Sequence, residues 1–115
     1  MKHALLYIPD IFFAPRIADA LKHLGFTTQD VNLRGDLAAV WADAALLVVQ
    51  LQPPRATWQQ LIESAHAANL PILAFGQHTQ AEVLRAARQA GATKVVPNSE
   101  LVAELPQLVA QVMKN

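Results

Sequence analysis

Six consecutive apolar residues, Ala44 to Val49, stand between Asp43 and Gln50 in the middle of the chain. A strand with no alternation of apolar and polar positions has no face to give to water, so it must be covered on both sides. Ala4-Leu5-Leu6-Tyr7-Ile8 and Pro71 to Phe75 repeat that pattern on either side of it. Several doubly covered strands in one short chain demand a layer of helices above a sheet and another below.

The segments between these runs supply the helices. Phe13, Ile17, Leu21 and Leu24, spaced four, four and three apart, mark one apolar helical face. Pro15 fits the first turn of that helix, and Gly25 gives it a C-terminal stop. Phe26 to Val31 is a less apolar strand, expected at the sheet edge. Leu37 to Trp41 predicts a weak helical turn. Trp58, Leu61, Ile62 and Ala65 mark the next helix. Thr79-Gln80-Ala81-Glu82 reads as a capping box that opens a helix with Val83, Leu84 and Ala87, ending at Gly91. Lys94 to Val96 is the last strand. Leu101, Leu105, Leu108 and Val112 give the final amphipathic helix, with Pro106 near its first regular turn and a separate turn expected before it. Strand and helix thus alternate five times with short connections. The expectation is one α/β domain over residues 1–115, with a flavodoxin-like parallel sheet of strand order 2-1-3-4-5 and helices on both faces.

Composition narrows the function. Nine basic and nine acidic side chains give zero formal charge, so nothing draws the chain generally toward nucleic acid or an anionic membrane. Apolar residues at 53% and charged residues at 16% exclude disorder. The absence of cysteine removes disulfides, thiolate metal sites and thiol catalysis. No apolar run approaches the roughly 20 residues of a membrane helix. Pro9 and Asp10 interrupt the apolar start, so no cleavable signal is read and a cytoplasmic protein is expected.

In such a fold ligands bind beyond the carboxyl ends of the strands, where the strand order reverses. Pro9, Asp10, Gln50, Gln52, Gly76, Gln77, His78, Pro97 and Asn98 are the residues expected there. His3, His23 and His66 are scattered and show no ligand spacing, so no metal site is read. Trp58 is expected to pack on the sheet, whereas Trp41 is a candidate for a partner surface. Arg16, Arg34, Arg55, Arg85 and Arg88 are too sparse for a nucleic-acid patch. Pro9-Asp10-Ile11-Phe12-Phe13 is bulky and lacks the glycine of a phosphate-binding loop, which argues against a nucleotide or flavin site.

On Leu5-Leu6-Tyr7-Ile8-Pro9-Asp10, Ala45-Leu46-Leu47-Val48-Val49-Gln50, Leu70-Pro71-Ile72-Leu73-Ala74-Phe75 and Ala90-Gly91-Ala92 followed by Lys94-Val95-Val96, the chain resembles the receiver domain of bacterial two-component response regulators. The resemblance covers essentially the whole length. It implies an acidic pair after strand one that helps to bind Mg²⁺, and a phosphoacceptor aspartate ending strand three. It further implies a Thr or Ser after strand four and a Lys after strand five. Pro9-Asp10 stands at the first position, Gln50 at the second and Gly76 at the third. Asn98, or Pro97 with a one-residue slip, stands at the fourth.

A glutamine amide is a poor nucleophile, one carboxylate is a thin shell for Mg²⁺, and an added phosphoryl charge would lack its cation. Lys94 and Asp43 lie at the wrong ends of their strands to compensate. The expectation is a degenerate pseudo-receiver without enzymatic activity, cofactor or metal, in which Asp10 is at most a weak Mg²⁺ ligand. Such a domain in a signalling phosphorelay acts by docking a protein partner or a second copy. The resemblance implies the face of helix four, strand five and helix five, here Arg85, Arg88, Gln89, Lys94, Glu100, Glu104 and Gln107, with no output domain following. The alternative expectation is a small-ligand-binding or unorthodox phospho-accepting domain that uses the crevice.

Overall fold

The computed structural model describes residues 2–114. The elements follow in the order β1 (Lys2–Tyr7), α1 (Phe13–His23), β2 (Phe26–Asp30), α2 (Leu37–Ala42), β3 (Leu46–Gln50), α3 (Arg55–Ala67), β4 (Ile72–Gly76), α4 (Ala81–Ala90), β5 (Lys94–Pro97) and α5 (Asn98–Val112). All strand pairs are parallel, and the sheet order is β2-β1-β3-β4-β5. The expected α/β architecture and strand order are therefore present.

The apolar run of β3 does what its composition demands. Leu46 and Val48 face one core with Ala4, Leu6, Leu73 and Phe75, under α1 and α5. Leu47 and Val49 face the other with Leu5, Ile72 and Ala74, under α2, α3 and α4. All four are 0% exposed. Successive side chains of a strand leave opposite faces, so only a run without alternation can serve two cores.

Helix boundaries follow local chemistry. Asp36 caps α2, its Oδ1 accepting from the Ala38 N–H at 3.1 Å. Gly25 and Gly91 take φ of +93° and +120°, ending α1 and α4 in a region that glycine enters without strain. At Gly91 a Cβ would also collide with the His66 ring. The turn expected before Pro106 is a kink: Glu104, at φ −129° and ψ 26°, breaks the regular geometry inside α5.

Three local expectations are corrected. Thr79 is not an N-cap, because α4 starts at Ala81 with Gln80 before it and no side-chain capping bond. The Glu82 carboxylate instead reaches Arg55, Oε1 to Nη1 at 3.4 Å. Leu24 lies past the end of α1 and is 40% exposed, so the buried stripe ends at Leu21. Trp41 belongs to no partner surface. Its ring is buried in the second core and its indole N–H donates to Ser64 Oγ at 2.7 Å.

Candidate functional site

The register sets the carboxyl ends of four strands side by side. Tyr7 pairs with Val49, Gln50 with Phe75, and Gly76 with Pro97, so β1, β3, β4 and β5 finish at one edge of the sheet. A cleft of about 100 Å³ opens there. It brings together Asp10, Gln50, Gln52, Gly76, Gln77 and Asn98 from among the expected residues. Pro9 does not join them: it turns to a neighbouring groove with Ile11 and Leu33. His78 and Pro97 do not line the cleft either, and His78 is exposed.

Gln50 is the buried polar residue at its centre, only 5% exposed. Its Oε1 accepts the Asp10 N–H at 3.0 Å and so ties the end of β3 to the loop after β1. The Asp10 carboxylate is committed elsewhere. Its Oδ1 accepts the N–H groups of Phe12 at 2.8 Å and Phe13 at 3.3 Å, while its carbonyl accepts from Ala14 N at 3.0 Å. Asp10 therefore serves the free N–H groups at the start of α1, as an Asx residue ahead of a helix does.

The residues present do not fit a divalent cation. Among the described residues Asp10 is the single carboxylate lining the cleft, and one of its oxygens already takes two N–H groups. Mg²⁺ wants several hard anionic oxygens or substrate phosphates in an octahedral shell. Among the described residues, no group of three or more His, Asp or Glu is placed to share an ion. Among the described residues no Lys, Arg or His lines the cleft to neutralise a phosphoryl group. Lys94 opens β5 opposite Leu73, at the far end from Gly76 and Pro97.

Gly76, where the resemblance implies a hydroxyl, is closed by packing. A Cβ there would stand 3.2 Å from Leu51 Cβ and 3.4 Å from Leu84 Cδ2. Leu51 cannot retreat easily, since its N–H donates to the Phe75 carbonyl at 2.8 Å and its side chain is buried. Gly76→Thr is therefore expected to lose about 1–3 kcal/mol of stability by overpacking, read as a lower urea midpoint.

Phe13, Leu51, Pro53 and Gln80 line the cleft without having been expected there. Phe13 belongs to the apolar stripe of α1, and its position gave no polar signal. Gln80 follows His78-Thr79 and only enters because α4 begins later than the capping pattern implied. Two larger open grooves, of about 420 and 370 Å³, lie beside β1 and β2 under Ile11 and Ala14. Their lining is mainly apolar. They border the large exposed side chains Ile11 (74%) and Leu33 (53%), with Phe12 (79%) adjacent.

This architecture is that of CheY-like receiver domains. A CheY-like protein (TadZ) from Pseudomonas aeruginosa PAO1 matches with a TM-score of 0.81 at 18% identity, over 97% of this chain and 99% of that one. NtrX from Brucella abortus matches with a TM-score of 0.81 at 18% identity, over 99% of this chain but 27% of that one. A response regulator from Burkholderia pseudomallei, whose structure holds a phosphorylated aspartic acid, a calcium ion and citrate, matches with a TM-score of 0.75 at 16% identity, over 97% of this chain and 66% of that one. No protein-family profile and no curated protein sequence matches the chain. At these identities the likeness establishes the fold, and the site has to be read from its own side chains.

Proposed function

We propose that this chain is a receiver-fold signalling domain that works by binding a protein partner and carries out no phosphoryl transfer. One observation carries the reading. The end of β3 holds a buried Gln50 whose amide oxygen is bonded to the Asp10 backbone, in a cleft with one half-committed carboxylate and no cation. A carboxamide forms no acyl phosphate under neutral conditions, and nothing in the cleft would hold the incoming charge. The receiver fold of the neighbours supports a role in signal transduction. A receiver fold without a phosphoacceptor carboxylate can still act by association, which is the role this reading gives it.

The docking face carried over from the resemblance has the character of a contact surface. Arg85, Arg88, Gln89, Lys94, Glu104 and Gln107 are exposed and Glu100 is half-buried. Its basic residues stand on α4 and β5 and its acidic ones on α5, which suits a partner of mixed charge or a second copy of the chain. No helix among the described residues is long and apolar enough to cross a membrane, and we place the domain in the cytoplasm with its partner.

The test is the intact mass after incubation with acetyl phosphate and Mg²⁺. No change is expected. A gain of one phosphoryl group, on any residue, would instead establish an unorthodox phospho-acceptor and end this reading.

A further inference from the structure

The cleft is lined by five carboxamides, Gln50, Gln52, Gln77, Gln80 and Asn98, beside the single carboxylate of Asp10. Such a wall offers hydrogen-bond donors and acceptors in nearly equal number and almost no charge. Little of that capacity is used. The Gln50 oxygen takes the Asp10 N–H, yet no hydrogen bond reaches its Nε2 or the side-chain amides of Gln52, Gln77 and Gln80 among the described residues. Asn98 Oδ1 is buried and has no partner. Turning that amide about its last torsion would put a donor in the same place, so the position calls for a polar group in either orientation.

Buried polar atoms are ordinarily bonded, and one left unpaired is unfavourable for the folded chain. A group entering from the cleft relieves it in either orientation of Asn98 if the group can donate to one amide of the wall and accept from another. An anion meets the Asp10 carboxylate, with no Lys, Arg or His among the described lining residues to offset the repulsion. A cation can donate but cannot accept. An amide does both, and the cleft volume of about 100 Å³ suits one amide group with little attached.

We propose that the cleft is a recognition site for a neutral amide. The shared chemistry is a carboxamide, supplied either by a small free molecule or by an Asn or Gln side chain of a bound protein. This goes beyond the docking role of the domain and does not rest on it.

The side-chain amide signals of ¹⁵N-labelled protein test the proposal. They are followed during titration with acetamide, with an N-acetylglutamine methylamide, and with acetate and ammonium at matched ionic strength. Acetamide is expected to shift the Asn98 and Gln50 NH₂ signals along saturating curves in the millimolar range, as suits a ligand of so few atoms. A tighter response to the glutamine derivative than to acetamide assigns the site to a partner's side chain. The reverse order assigns it to a free small molecule. Asn98→Leu keeps the fold, because an apolar group replaces an unpaired polar one, and its unchanged or raised urea midpoint verifies this. It is expected to weaken the acetamide response about tenfold, the equivalent of one neutral hydrogen bond. Linear, unsaturating shifts would show water alone in the cleft and overturn the proposal. An equal response to acetate, or an unchanged curve in Asn98→Leu, would overturn it too. The phosphodonor experiment reads covalent mass, so the two ideas fail separately.

Discussion

Gln50→Asp is expected to destabilise the protein and to leave it without phosphoryl-accepting activity. The substitution restores the residue type that the receiver resemblance implies, but the surroundings are not those of a phosphoacceptor. The shorter side chain draws its oxygen back from the Asp10 N–H, which in the wild type donates to Oε1 at 3.0 Å. It also places a second carboxylate in a 5%-exposed position beside Asp10, with no Lys, Arg or His lining the cleft. Loss of the bond and burial of a like charge together suggest a loss of about 2–4 kcal/mol at pH 7.

The pH dependence has a definite sign. Burial and the neighbouring charge raise the introduced carboxyl group above its unfolded value, so the folded state binds that proton more tightly than the unfolded chain does. The destabilisation is therefore full at neutral pH and fades as pH falls toward the unfolded carboxyl range near 4. The gap between the urea midpoints of Gln50→Asp and wild type should narrow between pH 7 and pH 4 to the part owed to the lost hydrogen bond. A constant gap would mean that lost packing, and not buried charge, causes the effect.

Phe75→Ala is the second large effect. The ring lies in β4, is 0% exposed, and meets Phe13 edge to face with centroids 5.9 Å apart and planes at 66°. Deleting a buried phenyl ring costs about 3–5 kcal/mol through lost burial and the cavity left behind. Phe13 also lines the cleft, so removing its support should loosen the start of α1 and weaken the Asp10–Gln50 link. Equilibrium unfolding reads the first consequence, and faster amide exchange at Phe12 and Phe13 reads the second. The exposed Phe12 gives the contrast: Phe12→Ser should change stability by no more than about 0.5 kcal/mol.

These effects sort what was legible in the sequence from what was not. The doubly buried strands were visible because an unbroken apolar run admits one arrangement, and Leu46 to Val49 fill both cores as that arrangement requires. Gly25 and Gly91 were readable as helix ends for a similarly local reason. Trp41 was not readable, because its place depends on a hydroxyl 23 residues away, Ser64, which satisfies the indole N–H inside the core. The capping pattern at Thr79 misled because α4 begins one residue late, with Gln80 at its N-cap, and the exposed Glu82 carboxylate faces Arg55 instead.

At the site, Asp10, Gln50, Gly76 and Asn98 were located by their positions at strand ends. What those positions do depended on contacts between elements. Asp10 spends its oxygen on α1, Gly76 is shut by Leu51 and Leu84, and Asn98 Oδ1 is left alone. The Asp10 role has a local signature, an Asp just ahead of a helix start; the other two have none in the residues flanking them.

We infer that a neutral, hydrogen-bonding cleft stands in this fold where phosphoryl chemistry would need a carboxylate and a cation. Intact-mass measurement of the wild-type protein, after exposure to acetyl phosphate and Mg²⁺ beside a phosphorylatable receiver as control, tests it most directly. An unchanged mass is expected at every donor concentration that labels the control. Addition of one phosphoryl group to the folded protein would contradict it.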